Sequence, residues 1–198
     1  GNDNTALGRG SLSSNTTGYA NTGVGFGSLS SNTTGGYNTS IGNYAGSTIS
    51  TGSNNTNLGN GAEPLTSTSS NQITLGNNQV NALRCNVQSF FSLSDMRDKK
   101  NIQDLSLGLD FIMKLKPRQF NWDKREWYDG NKSDGSKMKE SLTAGFISQE
   151  LDEAQTNENA DWLNLVLKDN PEKLEATYGN LLPVMVKAIQ ELNVQSEK

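Results

Sequence analysis

Ser94 and Lys99 stand five residues apart in the stretch Ser94-Asp95-Met96-Arg97-Asp98-Lys99-Lys100-Asn101-Ile102. A serine hydroxyl is a poor nucleophile until a base takes its proton. The chain has no histidine among its 198 residues, which removes Ser–His–Asp and Cys–His catalysis and most zinc sites together. A lysine can serve as the base if its amine is neutral, and that requires burial or neighbouring positive charge. Arg97 and Lys100 are close enough in sequence to supply the charge; Asp95 and Asp98 oppose it unless they turn away. Taken alone the spacing carries little, because Ser94 reads equally as the N-cap of a charged, solvated turn. Its position is what singles it out. Residues 1–93 carry only Asp3, Arg9, Glu63 and Arg84, while residues 94–198 carry the other 15 basic and 19 acidic side chains. A nucleophile candidate and a base candidate therefore sit where two kinds of sequence meet, and the reading is that the chain cuts itself there.

The first half must present that seam. Asn-Thr recurs at Asn4-Thr5, Asn21-Thr22, Asn38-Thr39 and Asn55-Thr56, each step being 17 residues. An aliphatic residue and a glycine follow in register: Leu7-Gly8, Val24-Gly25, Ile41-Gly42, Leu58-Gly59 and Leu75-Gly76. A strict period of this kind means stacked structural units. Each unit offers two short strand-compatible stretches, such as Thr22 to Phe26 and Ser28-Leu29, between Gly/Asn turns. About two aliphatic residues per unit cannot close a core in one chain, whereas three chains around one axis could each give a row of Leu, Val and Ile to a shared interior, with Gly where backbones approach too closely for a Cβ. The expectation is a trimeric β-solenoid or β-helix stalk, intertwined or side by side. The recurring Asn and Thr either bind glycan or ladder with one another and the backbone. Residues 77–93 read as a joint, with a final strand over Gln79 to Val87 and Phe90-Phe91 packing the junction.

The second half reads as a small α+β domain. Ser106 is expected to cap a helix from Leu107 to about Leu115, ended by Pro117. Phe120 and Trp122, and later Ala144 to Ile147, read as two strands joined by a polar excursion from Asp123 to Ser141. Within it Asp129 to Gly135 is a poor calcium loop, its glycine one place late and its closing Glu out of position, so no metal is expected. Ser148 is placed as the cap of a helix through Ala154; Leu163, Leu165 and Leu167 alternate as a strand that Leu174 to Tyr178 can pair. Asn180 can cap a last helix whose first turn tolerates Pro183. There Leu182, Met185, Ile189 and Leu192 fall at spacings of 3, 4 and 3, a coiled-coil seam too short to hold alone. It lies either on its own domain or, as favoured here, in a three-helix contact.

A net charge of −4 makes nucleic acid and anionic membrane poor partners, and no apolar run is long enough for membrane insertion. One cysteine, Cys85, allows no internal disulfide. No signal peptide is seen, and a chain opening on Gly1 reads as a piece of something longer. No cofactor is expected.

Four blocks then carry a resemblance. Ser94 to Ile102 is similar to the S-D-x-R-x-K-x-x-I opening of the endosialidase-type intramolecular chaperones, self-cleaving C-terminal domains of phage tail spikes and fibres. Leu115 to Trp122 resembles their L-x-P-x-x-F-x-W, and Gly145 to Leu151 their G-x-I-A-Q-E-L, with Ser148 where Ala is usual. Tyr178 to Leu192 resembles their C-terminal helix. The repeat of the first half looks like trimeric adhesin heads and phage fibre shafts. The resemblance implies a homotrimeric chaperone that guides folding of the stalk and then releases itself, with Ser94 as nucleophile and Lys99 as base. It also implies a virion tail fibre or spike, a released domain left in the host cytoplasm, and a host-surface receptor or glycan met by the stalk. Attack of Ser94 Oγ on the Leu93 carbonyl makes a five-membered ring, so Leu93–Ser94 is the bond expected to break within one chain; cleavage of Ser94–Asp95 would need a hydroxyl from a neighbouring chain. The alternatives are a structural receptor-binding or adhesin tip with a silent dyad, and a membrane-tethered transcription factor, which the repeat, the missing basic domain and the missing span disfavour. A glycan-cleaving site would need paired carboxylates, and residues 1–93 hold only Asp3 and Glu63.

Overall fold

The computed structural model describes residues 1–86 and 92–196, and the chain divides into two compact units, Gly1–Leu93 and Ser94–Lys198. The first unit is a parallel β-solenoid. Its rungs are the three-residue strands β1 (Thr5–Leu7), β2 (Thr22–Val24), β3 (Thr39–Ile41), β4 (Thr56–Leu58) and β5 (Ile73–Leu75), stacked in that order. Thr5 pairs with Thr22, Thr22 with Thr39, Thr39 with Thr56 and Thr56 with Ile73, an offset of 17 residues at every step.

Asparagine organises each turn. Asn21, Asn38 and Asn55 are buried. The backbone N–H of Asn38 donates to Asn21 Oδ1 at 2.9 Å, and that of Asn55 to Asn38 Oδ1 at 3.0 Å. In the other direction Asn38 Nδ2 donates to the Gly52 carbonyl at 2.8 Å and Asn55 Nδ2 to that of Ser69 at 2.8 Å. Each amide thus satisfies backbone groups of the next turn that a three-residue strand leaves open. Of the two readings of the Asn-Thr repeat, these asparagines do the laddering; buried side chains of this kind offer a glycan no contact. A small apolar cluster of Leu12, Leu29 and Ile49 fills another part of the interior.

Two expectations are corrected, and the close backbone approach expected at glycine is borne out. Each turn has one strand, not two: Leu12 and Leu29 take left-handed φ values of 52° and 54°, which breaks extension at the second stretch, so those segments stack through single bonds such as Leu29 N–H to Ala45 O at 3.0 Å. The close glycine approaches lie between turns of one chain. At Gly25, with φ +130°, an added Cβ would stand 2.3 Å from the Gly42 carbonyl oxygen. Residues 77–86 carry no strand; Val87 and Phe90-Phe91 lie outside the described residues. In the aliphatic row that follows each Thr, Leu7 is 65%, Ile41 44% and Leu58 39% exposed, with Val24 half-buried.

The second unit packs three helices against two small antiparallel ladders. Strand β6 (Arg118–Asn121) pairs with β7 (Leu142–Gly145), and β8 (Val166–Leu167) with β9 (Glu175–Ala176). Helix α1 (Leu109–Ile112), α2 (Ser148–Asn157) and α3 (Leu182–Ser196) close a core of Phe111, Leu151, Leu163, Leu165, Leu181 and Val184. Helix α1 is shorter than its periodicity suggests. Ser106 does not cap it; the N-cap is Gly108, and the Leu109 N–H donates to Glu191 Oε2 of α3 at 2.7 Å. A Cβ at position 108 would meet that oxygen at 2.3 Å, so glycine admits the carboxylate. Ser148 begins α2, which runs three residues past Ala154, and Ile147 stands at its N-cap. Left-handed Asn164, φ 49°, ends the strand that Leu163 to Leu167 would have made. The Asn180 side chain donates to the Leu163 carbonyl at 2.8 Å; a single 3-10 turn, Tyr178–Leu181, leads into α3 in place of a side-chain cap.

Two faces of α3 differ. Val184 and Ala188, with Leu181 of the preceding turn, are buried on the side of the unit's own core. Leu182, Met185, Ile189 and Leu192 point outward, Leu182 being 64% and Ile189 63% exposed.

Candidate functional site

A single 3-10 turn, Met96–Asp98, folds the chain so that residue 99 returns to residue 94. Two backbone bonds close it: Asp98 N–H to Asp95 O at 3.2 Å and Lys99 N–H to Met96 O at 3.1 Å. Asp95 is the N-cap, its Oδ1 accepting the Arg97 N–H at 2.8 Å, so the capping role belongs to Asp95 and Ser94 is left free of it. Lys99 Nζ lies 2.5 Å from Ser94 Oγ and 3.1 Å from the Ser94 carbonyl oxygen. A neutral amine here can accept the hydroxyl proton on its lone pair while one N–H stays on that carbonyl, which fixes the direction of the lone pair.

The neighbouring charges are arranged differently from the sequence expectation. Arg97 does not serve Lys99. Its guanidinium grips Asp95, with Nη2 to Oδ2 at 2.7 Å and Nε to Oδ1 at 3.0 Å. The side-chain bonds from Arg97, then its backbone N–H, hold the Asp95 carboxyl below the usual carboxylate range; the same pairing raises the Arg97 guanidinium. Among the described residues Lys99 bonds to Ser94 alone. Ser94 and Lys99 are both exposed in one chain. Leu93, on the other side of the seam, is fully exposed. The Asp95–Arg97 clamp was missed in sequence, although Asp-x-Arg directly before a turn is its signal.

A concavity of about 810 Å³ lies in the same unit, walled by Phe120, Trp122, Phe146 and Tyr178 and rimmed by Lys124 and Lys173. The polar excursion beside it folds on Asp123, which accepts from the Tyr128 hydroxyl and, at 3.1 Å, from the Gly135 N–H. Among the described residues no group of three His, Cys, Asp or Glu side chains is placed to hold a metal ion, and no helix is long and apolar enough to cross a membrane.

Residues 94–159 match the family model described as chaperone of endosialidase. The match opens on Ser94, the residue whose hydroxyl meets Lys99, and spans the first three of the four sequence blocks; Tyr178 to Leu192 lies beyond it. The match supports an endosialidase-type chaperone domain that begins at Ser94, of a family classed with the peptidases. No curated protein and no solved structure matches the chain.

Proposed function

We propose that this chain is part of a trimeric phage tail fibre or spike, in which the second unit trimerises, guides folding of the solenoid, and releases itself by cutting beside Ser94. The observation that carries the reading is the approach of Lys99 Nζ to Ser94 Oγ at the first residue of the chaperone match, where the two units also divide. In the reaction neutral Lys99 takes the Ser94 proton and Oγ attacks the Leu93 carbonyl carbon. The Leu93–Ser94 C–N bond breaks as the Lys99 ammonium protonates the leaving nitrogen. The resulting ester is hydrolysed by water, giving a Leu93 carboxylate, the Ser94 hydroxyl and a new amino terminus.

Two exposed apolar features support the trimer: the partly exposed aliphatic row of the solenoid and the Leu182, Met185, Ile189 and Leu192 face of α3. Parallel β-structure folds slowly because distant segments must meet before contacts reward them. A unit that trimerises early would hold three stalks at high effective concentration, and losing it afterwards would make stability kinetic. The product would belong to a virion, with the released domain left in the host cytoplasm and the stalk available to a surface receptor or glycan.

The exposure of Ser94 and Lys99 in one chain favours a second reading, a structural tip whose dyad stays silent. Intact masses of the denatured chain and of Ser94→Ala separate the two. Two fragments from the parent and one full-length mutant support self-cleavage, and their masses place the bond at Leu93–Ser94 or Ser94–Asp95. A full-length parent that is trimeric removes the peptidase claim.

A further inference from the structure

We infer that Arg97 is a positioning residue for the dyad: it locks the Asp95 carboxylate to itself and so keeps that anion from pairing with the Lys99 ammonium. The inference rests on the self-cleavage reading for its meaning, but its geometry stands separately.

A lysine that must act as a base is poorly placed among carboxylates, because an adjacent anion favours the ammonium form. Two carboxylates, Asp95 and Asp98, lie within four residues of Lys99, on the same tight turn. Yet Lys99 forms no ion pair among the described residues, and its ammonium nitrogen meets only Ser94. The Asp95 carboxylate is occupied on both oxygens by Arg97: Oδ1 takes the backbone N–H at 2.8 Å and Nε at 3.0 Å, and Oδ2 takes Nη2 at 2.7 Å and Nε at 3.2 Å. A fork of this kind suits arginine and leaves the carboxylate little capacity for a second cation. The other charged groups beside Lys99 are Asp98 and Lys100, neither of which pairs with it, and among the described residues no charged group of another element pairs with Ser94, Asp95 or Lys99. The arginine that sequence reading offered as a charge to depress Lys99 acts instead on the competing anion.

The test is a lysine ¹³Cε NMR titration of Lys99 in the full chain carrying Ser94→Ala, which keeps it intact whether or not the parent cleaves. With Arg97→Gln added, the Lys99 midpoint is expected to rise by about one pH unit, as an unmasked carboxylate nearby dictates. Adding Asp95→Asn, which keeps the Oδ1 acceptor of the turn, should return it, and Arg97→Lys should leave it closer to the parent. An unchanged midpoint, a rise that Asp95→Asn does not reverse, or a midpoint equal to that of the urea-unfolded chain overturns the inference, the last by making Arg97 merely structural. In the Ser94 chain the cleavage rate near neutral pH should fall about tenfold in Arg97→Gln, one decade of neutral amine per unit of midpoint, and recover with Asp95→Asn. An uncut parent would count against self-cleavage; a static Lys99 midpoint would count against the clamp.

Discussion

Asn38 Oδ1 accepts two bonds from Asn55, one turn of the solenoid further on: its backbone N–H at 3.0 Å and its Nδ2 at 3.0 Å. Both residues are fully buried. Replacing Asn38 by alanine strands the Asn55 N–H and the Gly52 carbonyl without water to replace the amide. The expected loss is on the order of 3 kcal/mol, from more than one buried group left unpaired. All three tryptophans, Trp122, Trp127 and Trp162, lie in the second unit. Denaturation followed by circular dichroism should therefore shift in Asn38→Ala, while the tryptophan fluorescence transition stays where it is.

The two faces of α3 should respond oppositely to substitution. Ile189→Glu changes an exposed side chain, so the unit should keep its fold while sedimentation reports loss of the proposed trimer. Val184→Ala empties a fully buried site and should cost about 1–3 kcal/mol of unit stability. A trimer that survives Ile189→Glu and Leu182→Glu together would place the subunit contact elsewhere.

Arg118 on β6 holds Glu150 on α2, with Nη2 to Oε1 at 2.5 Å and Nε to Oε2 at 2.9 Å. The side-chain bonds from Arg118 keep the Glu150 carboxyl below its ordinary range. A depressed folded-state carboxyl stabilises above its unfolded titration and loses that contribution as pH falls through the folded value. The parent unit should thus lose stability on acidification below the ordinary glutamate range, and Glu150→Gln should show a shallower acid limb in thermal melts taken against pH.

Cleavage should depend on assembly. Ser94 and Lys99 are open to solvent in a single chain, and a lysine base calls for burial or neighbouring positive charge. The rate should rise with chain concentration through the range in which trimer forms and then level off, and Lys99→Arg, which cannot give up its proton, should stop it at every concentration. Cleavage by a chain held monomeric through Ile189→Glu would show that one chain suffices.

What could be read in the chain was whatever rests on spacing. The Asn-Thr register foretold the pairing of Thr5 with Thr22 and Thr39 with Thr56, because stacked turns need like residues above like. Phe120 and Ala144 foretold the β6–β7 ladder with its long excursion. The losses have a common origin in contacts between segments distant in sequence. Glu191 caps α1 from 82 residues away, which no local signal at Ser106 reveals. The Asn180 side chain leaves its helix for the Leu163 carbonyl. At the candidate site the Ser94–Lys99 spacing was legible; the Asp95–Arg97 pair is the exception to that origin, a local contact with a local signal that went unread because Arg97 had several charges within reach.

The asparagine ladder also has an end. Gln72 occupies the next place in the series and still donates its N–H to Asn55 Oδ1 at 3.1 Å. Its longer amide, however, turns back, Oε1 accepting the Leu65 N–H at 2.9 Å. Each earlier asparagine hands an acceptor forward to its successor; Gln72 receives one and, among the described residues, hands none on. In the language of polymer growth it is a terminator. One added methylene lets the amide reach back to Leu65, so among the described residues the series of forward-facing side-chain acceptors stops at the β5 rung.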